Sequence, residues 1–275
     1  MKHTPILATI VALLLMTSCA EDVDKSASRY LTAAQTALAD GQFADAKLLI
    51  DSIKIVYPKA FETRKAGIAL LRQVEMAEAN QTLTYTDSLL ALCRERIDKM
   101  VPRFIYEKDA RYEEVGRFIA PSQRVEDNLQ RNYVRATVDE TGRMLLTSIY
   151  RGEAYINHTS VRVSSGGTWA QTPASDNLYQ SSDALAKTER NDFVLGQDSG
   201  VIAYIALHAG EPLKVEYLGG KAYSTTLTRN DTRAIADVYA LALQLQEAAQ
   251  LSAIAEEASR KISFFENKNS KDSIQ

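Results

Sequence analysis

The sequence predicts an α+β protein in which an antiparallel β domain is inserted between two long helices, and three observations carry that expectation. Apolar residues recur at helical spacing over about 27–101, at period two over about 102–228, and at helical spacing again over 229–266. The middle stretch breaks into short strands with turn residues at hairpin spacing, which suits a sandwich-like or curled antiparallel sheet. The flanking helical stretches are long enough to pair, antiparallel, over residues 61–101 and 229–266.

The helical half opens with a hairpin over 27–58. Tyr30, Ala33, Ala34 and Ala37 mark one helix, Gly41 the turn, Phe43, Ala46, Ile50 and Ile53 the second helix, and Pro58 its stop. At these spacings the segment resembles a single tetratricopeptide unit, in which small residues on the first helix admit the second. One such unit cannot bury its own apolar face, so either residues 61–75 or another protein must cover it. From Phe61 to Val101 no proline interrupts the helix, and Met76, Leu83, Leu90 and Ile97 alternate with Ala79, Thr86, Cys93 and Met100 as a coiled-coil seam. Such a helix spans roughly 60 Å. Its partner carries Ile235, Val238, Leu241, Leu245, Ala248, Ala255 and Ile262 on one face, with Asn230 or Asp231 as cap. Cys93 on the seam reads as a packed small hydrophobe. Residues 267–275, rich in Lys, Asn and Ser, read as a disordered tail.

In the middle, Tyr133 to Val138 alternates, Asp139 to Arg143 turns with Gly142, and Met144 to Tyr150 returns. Val161 and Val163 mark another strand, Val201 to Leu207 reads as a strand buried on both faces, and 103–119 add edge strands. Leu213 to Tyr217 and Tyr223 to Leu227 form a hairpin about a two-residue Gly219-Gly220 turn. Ser164 to Gln180 reads as a long loop holding Trp169, the only tryptophan, with Tyr179 nearby. These aromatics are the candidate ligand contacts; Trp169 either stacks on a sugar or protein partner or folds back to plug the sheets.

The chain begins with Met1-Lys2-His3, an apolar run from Ile6 to Met16, and Thr17-Ser18-Cys19. That order is a secretory signal, too short to span a bilayer. Leu15-Met16-Thr17-Ser18-Cys19 resembles the lipobox of bacterial lipoproteins, with Met16 where that family prefers a branched residue. The resemblance implies removal of 1–18, diacylglycerol and a palmitate-like chain on Cys19, and a tether over 19–26. Glu21, Asp22 and Asp24 resemble the acidic tag that exports some lipoproteins to the outer face of the outer membrane. Asp272-Ser273-Ile274 resembles a bacterial O-glycosylation acceptor, with Ser273 as the modified residue; Asp51-Ser52-Ile53 and Asp87-Ser88-Leu89 match it on helices.

The formal net charge is −3 over 275 residues, and without Lys2 it becomes −3 − 1 = −4. With no basic run, nucleic acid is not expected as a partner. Removing His3 leaves His158 and His208, with no G-x-S-x-G element, no cysteine pair and no phosphate-binding glycine loop. The expectation is a protein without cofactor or metal that is not an enzyme: a lipid-anchored envelope protein at the outer membrane, acting as an accessory or scaffold subunit for a protein partner. The alternative is a surface module that binds a glycan or small ligand through the β domain; a third is a hydrolase with unrecognised machinery.

Overall fold

The computed structural model describes residues 23–272. Cys19, Glu21, Asp22, Ser273 and the signal-like segment lie outside the described residues. The fold is α+β: helices α1 (23–39), α2 (Phe43–Val56), α3 (Phe61–Met100), α4 (Val201–Leu207) and α5 (Arg229–Asp272), with ten strands between α3 and α5. Two compact units emerge, one from described residues 23–88 and 252–272, the other from Leu89 to Leu251. No described helix is long and apolar enough to cross a membrane.

In the first unit, α1 and α2 meet through small residues, with Ala34, Ala37 and Ala46 buried beside Ile50. The apolar face of this hairpin is covered by Leu70 and Val74 of α3. A second cluster joins Ala27, Ile53 and Ala60, with Val23, Tyr30 and Tyr57 against it. Lys47 bridges Glu75 at 2.8 Å and Glu78 at 2.6 Å, while Lys261 of α5 reaches Glu75 at 3.0 Å. Two bounds differ from expectation. Residues 23–26, read as tether, are already helical, and so are 267–272, read as tail.

The second unit holds a six-stranded sheet in the order β1-β2-β3-β4-β8-β7 and a four-stranded sheet in the order β10-β9-β5-β6, with every pairing antiparallel. The first comprises β1 (Ile105–Glu107), β2 (Arg117–Ile119), β3 (Tyr133–Asp139), β4 (Met144–Gly152), β7 (Tyr179–Ser182) and β8 (Lys187–Val194). The second comprises β5 (His158–Ser165), β6 (Thr168–Gln171), β9 (Lys214–Gly219) and β10 (Tyr223–Thr226). Period-two patterning sends Val134, Ala136 and Val138 of β3, Met144 and Leu146 of β4, Val161 and Val163 of β5, and Val215 and Tyr217 of β9 into one core. Ile235, Val238 and Leu241 of α5 join it, as do Ile97 and Met100 of α3 at its margin. Along α3, Ala79, Thr86, Leu90 and Cys93 of the expected seam are buried. Cys93 Sγ lies 3.2 Å from the Gln244 carbonyl and Arg103 lies 4.0 Å from Asp237, so within this unit α3 and the segment that follows it run opposite to α5.

Turn chemistry accounts for several positions. Asp139 Oδ1 accepts the Thr141 and Arg143 N–H groups, and Gly142 adopts φ +85° where a Cβ would lie 2.8 Å from Gln246 N. Four sequence expectations are corrected here. Val201–Leu207 is a helix: Gly200 at φ +82° and the Asp198 carboxylate, accepting Ile202 N–H at 2.7 Å, start it, and Val201, Ile202 and Ile205 are its buried residues. A short apolar run fits either periodicity, and this one is seven residues long. Gly219-Gly220 is not a two-residue turn. Gly219 still pairs with His158 of β5, where a Cβ would stand 2.0 Å from the Asn157 carbonyl, and the link to β10 is longer. Residues 164–180 are not one loop, because Gly166-Gly167 closes a β5–β6 hairpin and β7 follows. The cap of α5 is Thr228, whose Oγ accepts Asp231 N–H at 3.1 Å while donating to Asp231 Oδ2 at 2.7 Å.

Candidate functional site

Alternation places one set of side chains on the face of the six-stranded sheet opposite the core, and the register aligns them. Tyr133 of β3 stands opposite Ile149 of β4, Ile149 opposite Arg190 of β8, and Arg190 opposite Tyr179 of β7. A parallel row sets Arg151 opposite Thr188 and Thr188 opposite Ser181. All of these but Tyr179, together with Arg135, Val125, Asn128 and Leu129, line a concavity of about 170 Å³. Three arginines and no carboxylate are among these lining residues, and Val125, Leu129 and Ile149 supply apolar contact.

The arginines differ in how well they are satisfied. Arg151 bridges Asp183 at 2.8 Å and donates to Thr188 Oγ1 at 3.2 Å. That guanidinium and the Leu185 and Ala186 N–H groups hold the Asp183 carboxyl down to about 2. Arg190 lies over the Tyr179 ring at 4.4 Å. Arg135 Nε is buried with no hydrogen-bond partner. A buried guanidinium N–H without an acceptor is costly, so Arg135 is held there at a cost to stability; the three guanidinium groups that line the concavity suit a carboxylate or phosphate. Beside the concavity, Arg131 stacks on Tyr133 at 4.4 Å and is neutralised by Asp231 through two 2.7 Å hydrogen bonds.

A second constellation lies in the interior. Ser148 Oγ is 2.8 Å from His158 Nε2, and His158 Nδ1 is 2.8 Å from Glu189 Oε2. This has the connectivity of a nucleophile, base and orienting carboxylate. All three side chains are wholly buried, so no substrate carbonyl can reach Ser148. Burial holds His158 below its ordinary value, with Glu189 pulling less strongly the other way. Burial also pushes the Glu189 carboxyl upward, but donors from His158, the Asn157 and His158 N–H groups and Gln180 outweigh it and leave it lowered. Neutral imidazole therefore donates from Nδ1 to an ionised Glu189 and accepts the Ser148 hydroxyl at Nε2. Ser148 and Glu189 belong to the six-stranded sheet and His158 to the other, so the network joins the two sheets.

The residues singled out from sequence fall apart spatially. Trp169 and Tyr179 are 60% and 52% exposed, so Trp169 does not plug the interior. They stand on different sheets, Trp169 under Arg162 at 4.9 Å and Tyr179 beside the arginine-lined concavity. Asp24 lies in α1 and accepts a 2.9 Å hydrogen bond from Thr63. Cys93 is a buried free thiol pushed up by burial and the Glu247 charge. The arginine face was missed, although Arg135, Arg151 and Arg190 sit at outward positions of strands; only the pairing order shows that those strands are neighbours. Comparison with protein families, characterised proteins and solved structures finds no match to this chain.

Proposed function

We propose that this chain is a lipid-anchored cell-envelope protein that works by binding, and that the arginine-lined face of its β unit takes an acidic glycan. The observation that carries this reading is the convergence of Arg135, Arg151 and Arg190 on a concavity without a carboxylate among its lining residues. Bidentate arginine geometry suits a carboxylate or phosphate, and the half-exposed Tyr179 ring beside Arg190 offers a sugar face to stack on. The volume, about 170 Å³, is below the roughly 300–1,000 Å³ of drug-sized ligand sites, which suits one acidic ring or substituent. Retention of charged, but not neutral, oligosaccharides from the native envelope on the immobilised full chain tests the reading; equal retention of both counts against it.

The reading treats the sheets as a sandwich-like module and residues 27–58 as a tetratricopeptide-like hairpin, supported by the shared core and by the buried alanines between α1 and α2. Anchoring at the outer membrane rests on the lipobox resemblance at Cys19. A scaffold role for a protein partner is the second reading, favoured by Leu48 and Ile68, 67% and 57% exposed on the helical unit, and by a groove of about 200 Å³ that Ile68 lines with Ile50 and Gly67. A hydrolase centred on Ser148 is disfavoured by the burial of all three residues.

A further inference from the structure

The α2–α3 turn carries an uncommon surface. Ile55, Val56 and Phe61 are 76%, 55% and 69% exposed within seven consecutive residues. Lys54, Lys59 and Lys65 are exposed around them, with Glu62 the exposed acid among residues 54–65. Rigidity is not lacking: Ile53 and Ala60 are buried on either side, and Arg64 Nη1 donates to the Pro58 carbonyl at 2.7 Å. A fixed turn that exposes a phenylalanine and two branched aliphatics, interspersed in sequence with exposed lysines, has the make-up of a membrane-interface element.

Its position relative to the start of α1 gives that surface a destination. Val23 packs in the cluster of Ile53, Tyr57 and Ala60, and Asp24 Oδ1 accepts the Thr63 hydroxyl at 2.9 Å. Residue 23 therefore lies beside this turn. It is four residues from Cys19, a separation the chain can stretch to no more than roughly 14 Å. Acyl chains on Cys19 would hold the bilayer surface within that reach of the turn.

We propose that the α2–α3 turn is a second membrane contact, in which Phe61, Ile55 and Val56 enter the headgroup region of a phospholipid surface and Lys54, Lys59 and Lys65 face lipid phosphates. The proposal rests on the reading of Cys19 as the lipid anchor and adds to it a fixed orientation of the helical unit on the bilayer. One acyl-bearing residue tethers; a tether plus a wedge orients.

The test uses the full acylated chain in vesicles of phosphatidylethanolamine and phosphatidylglycerol, with Val56→Cys carrying an environment-sensitive fluorophore and Tyr85→Cys as control on the same unit. Cys93 is buried and does not compete for label. The expected result is a blue-shifted emission at position 56, quenched by lipid-borne spin labels, with position 85 remaining aqueous. The Cys19→Ser chain should bind the same vesicles weakly with the same shift. Replacing Lys54, Lys59 and Lys65 with Gln should weaken that binding on the order of 100-fold, since each lysine near an anionic surface contributes about a 5-fold factor. If Cys19 is acylated by mass and position 56 stays aqueous, the proposal is overturned. Shielding at 56 only in native membranes, not in pure lipid, overturns it in favour of a protein neighbour. If Cys19 carries no acyl chain the anchor reading fails, and the Cys19→Ser titration decides alone: no shift at 56 overturns the contact as well.

Discussion

His158 is the residue on which the interior of the β unit turns. Its two nitrogens tie Ser148 to Glu189, and Tyr217 meets its ring edge-on at 5.2 Å. His158→Gln should cost about 1–3 kcal/mol at neutral pH, because it leaves buried polar partners imperfectly satisfied. The pH profile gives the sharper reading. Folded His158 sits below its ordinary 6.5, so the unfolded chain takes up the proton first as pH falls. Stability is therefore present above that value and declines as pH drops through 6.5 toward the folded value; Glu189, held below 4.5, extends the decline further into acid. Denaturant unfolding at pH 7.5, 6 and 5 should show this slope in the parent and a flatter one in His158→Gln. None of this was visible beforehand, because Ser148, His158 and Glu189 share no sequence spacing that marks a site. They meet through β4–β8 pairing and the hydrogen bonds His158 of β5 makes to Ser148 and Glu189, which are long-range facts.

At the scale of elements, the sequence was most legible where one period persists. The α3 heptads correctly put Ala79, Thr86, Leu90 and Cys93 inside, and the strands over 133–150 follow from alternation plus the Asp139–Arg143 turn, while those over 214–226 follow from alternation although the expected Gly219-Gly220 turn does not. Leu90 is 6% exposed, so Leu90→Asp should destabilise by several kcal/mol, as expected for a buried unpaired charge; a melting temperature equal to the parent's would remove α3 from the core. Legibility failed where a segment is short. Val201–Leu207 carries too few residues to separate period two from 3.6, and its helical state is decided by Asp198 and Gly200. At the start of α5, the Thr228–Asp231 capping box is coupled to Arg131 and to Gln123, whose amide bonds Val134 O and Ala136 N along β3 beyond its pairing with β2. Asp231→Ala should accordingly cost about 1–3 kcal/mol, from the lost cap and the hydrogen bonds of a pair whose arginine is only half-buried. Thermal unfolding checks it, and a loss no larger than that of an exposed helix cap would mean the arginine relaxes into water.

For the whole molecule, the proposed function is binding of an acidic ligand by the β unit through Arg135, Arg151 and Arg190. The arginines were present in the sequence as ordinary outward strand positions, and their convergence required the β3-β4-β8 order. Because Arg135 Nε lacks a partner, Arg135→Leu should leave the melting temperature equal or higher while impairing binding, a separation that a purely structural arginine would not give. The most direct measurement is calorimetric titration of the full chain, parent and Arg135→Leu/Arg190→Gln, with an oligosaccharide containing glucuronate and with its neutral glucose counterpart. Only the acidic sugar should bind the parent, and the double variant should lose at least about tenfold in affinity, or 1.4 kcal/mol, with its fold intact. Equal binding of acidic and neutral sugars, or undiminished affinity in the double variant, would contradict it.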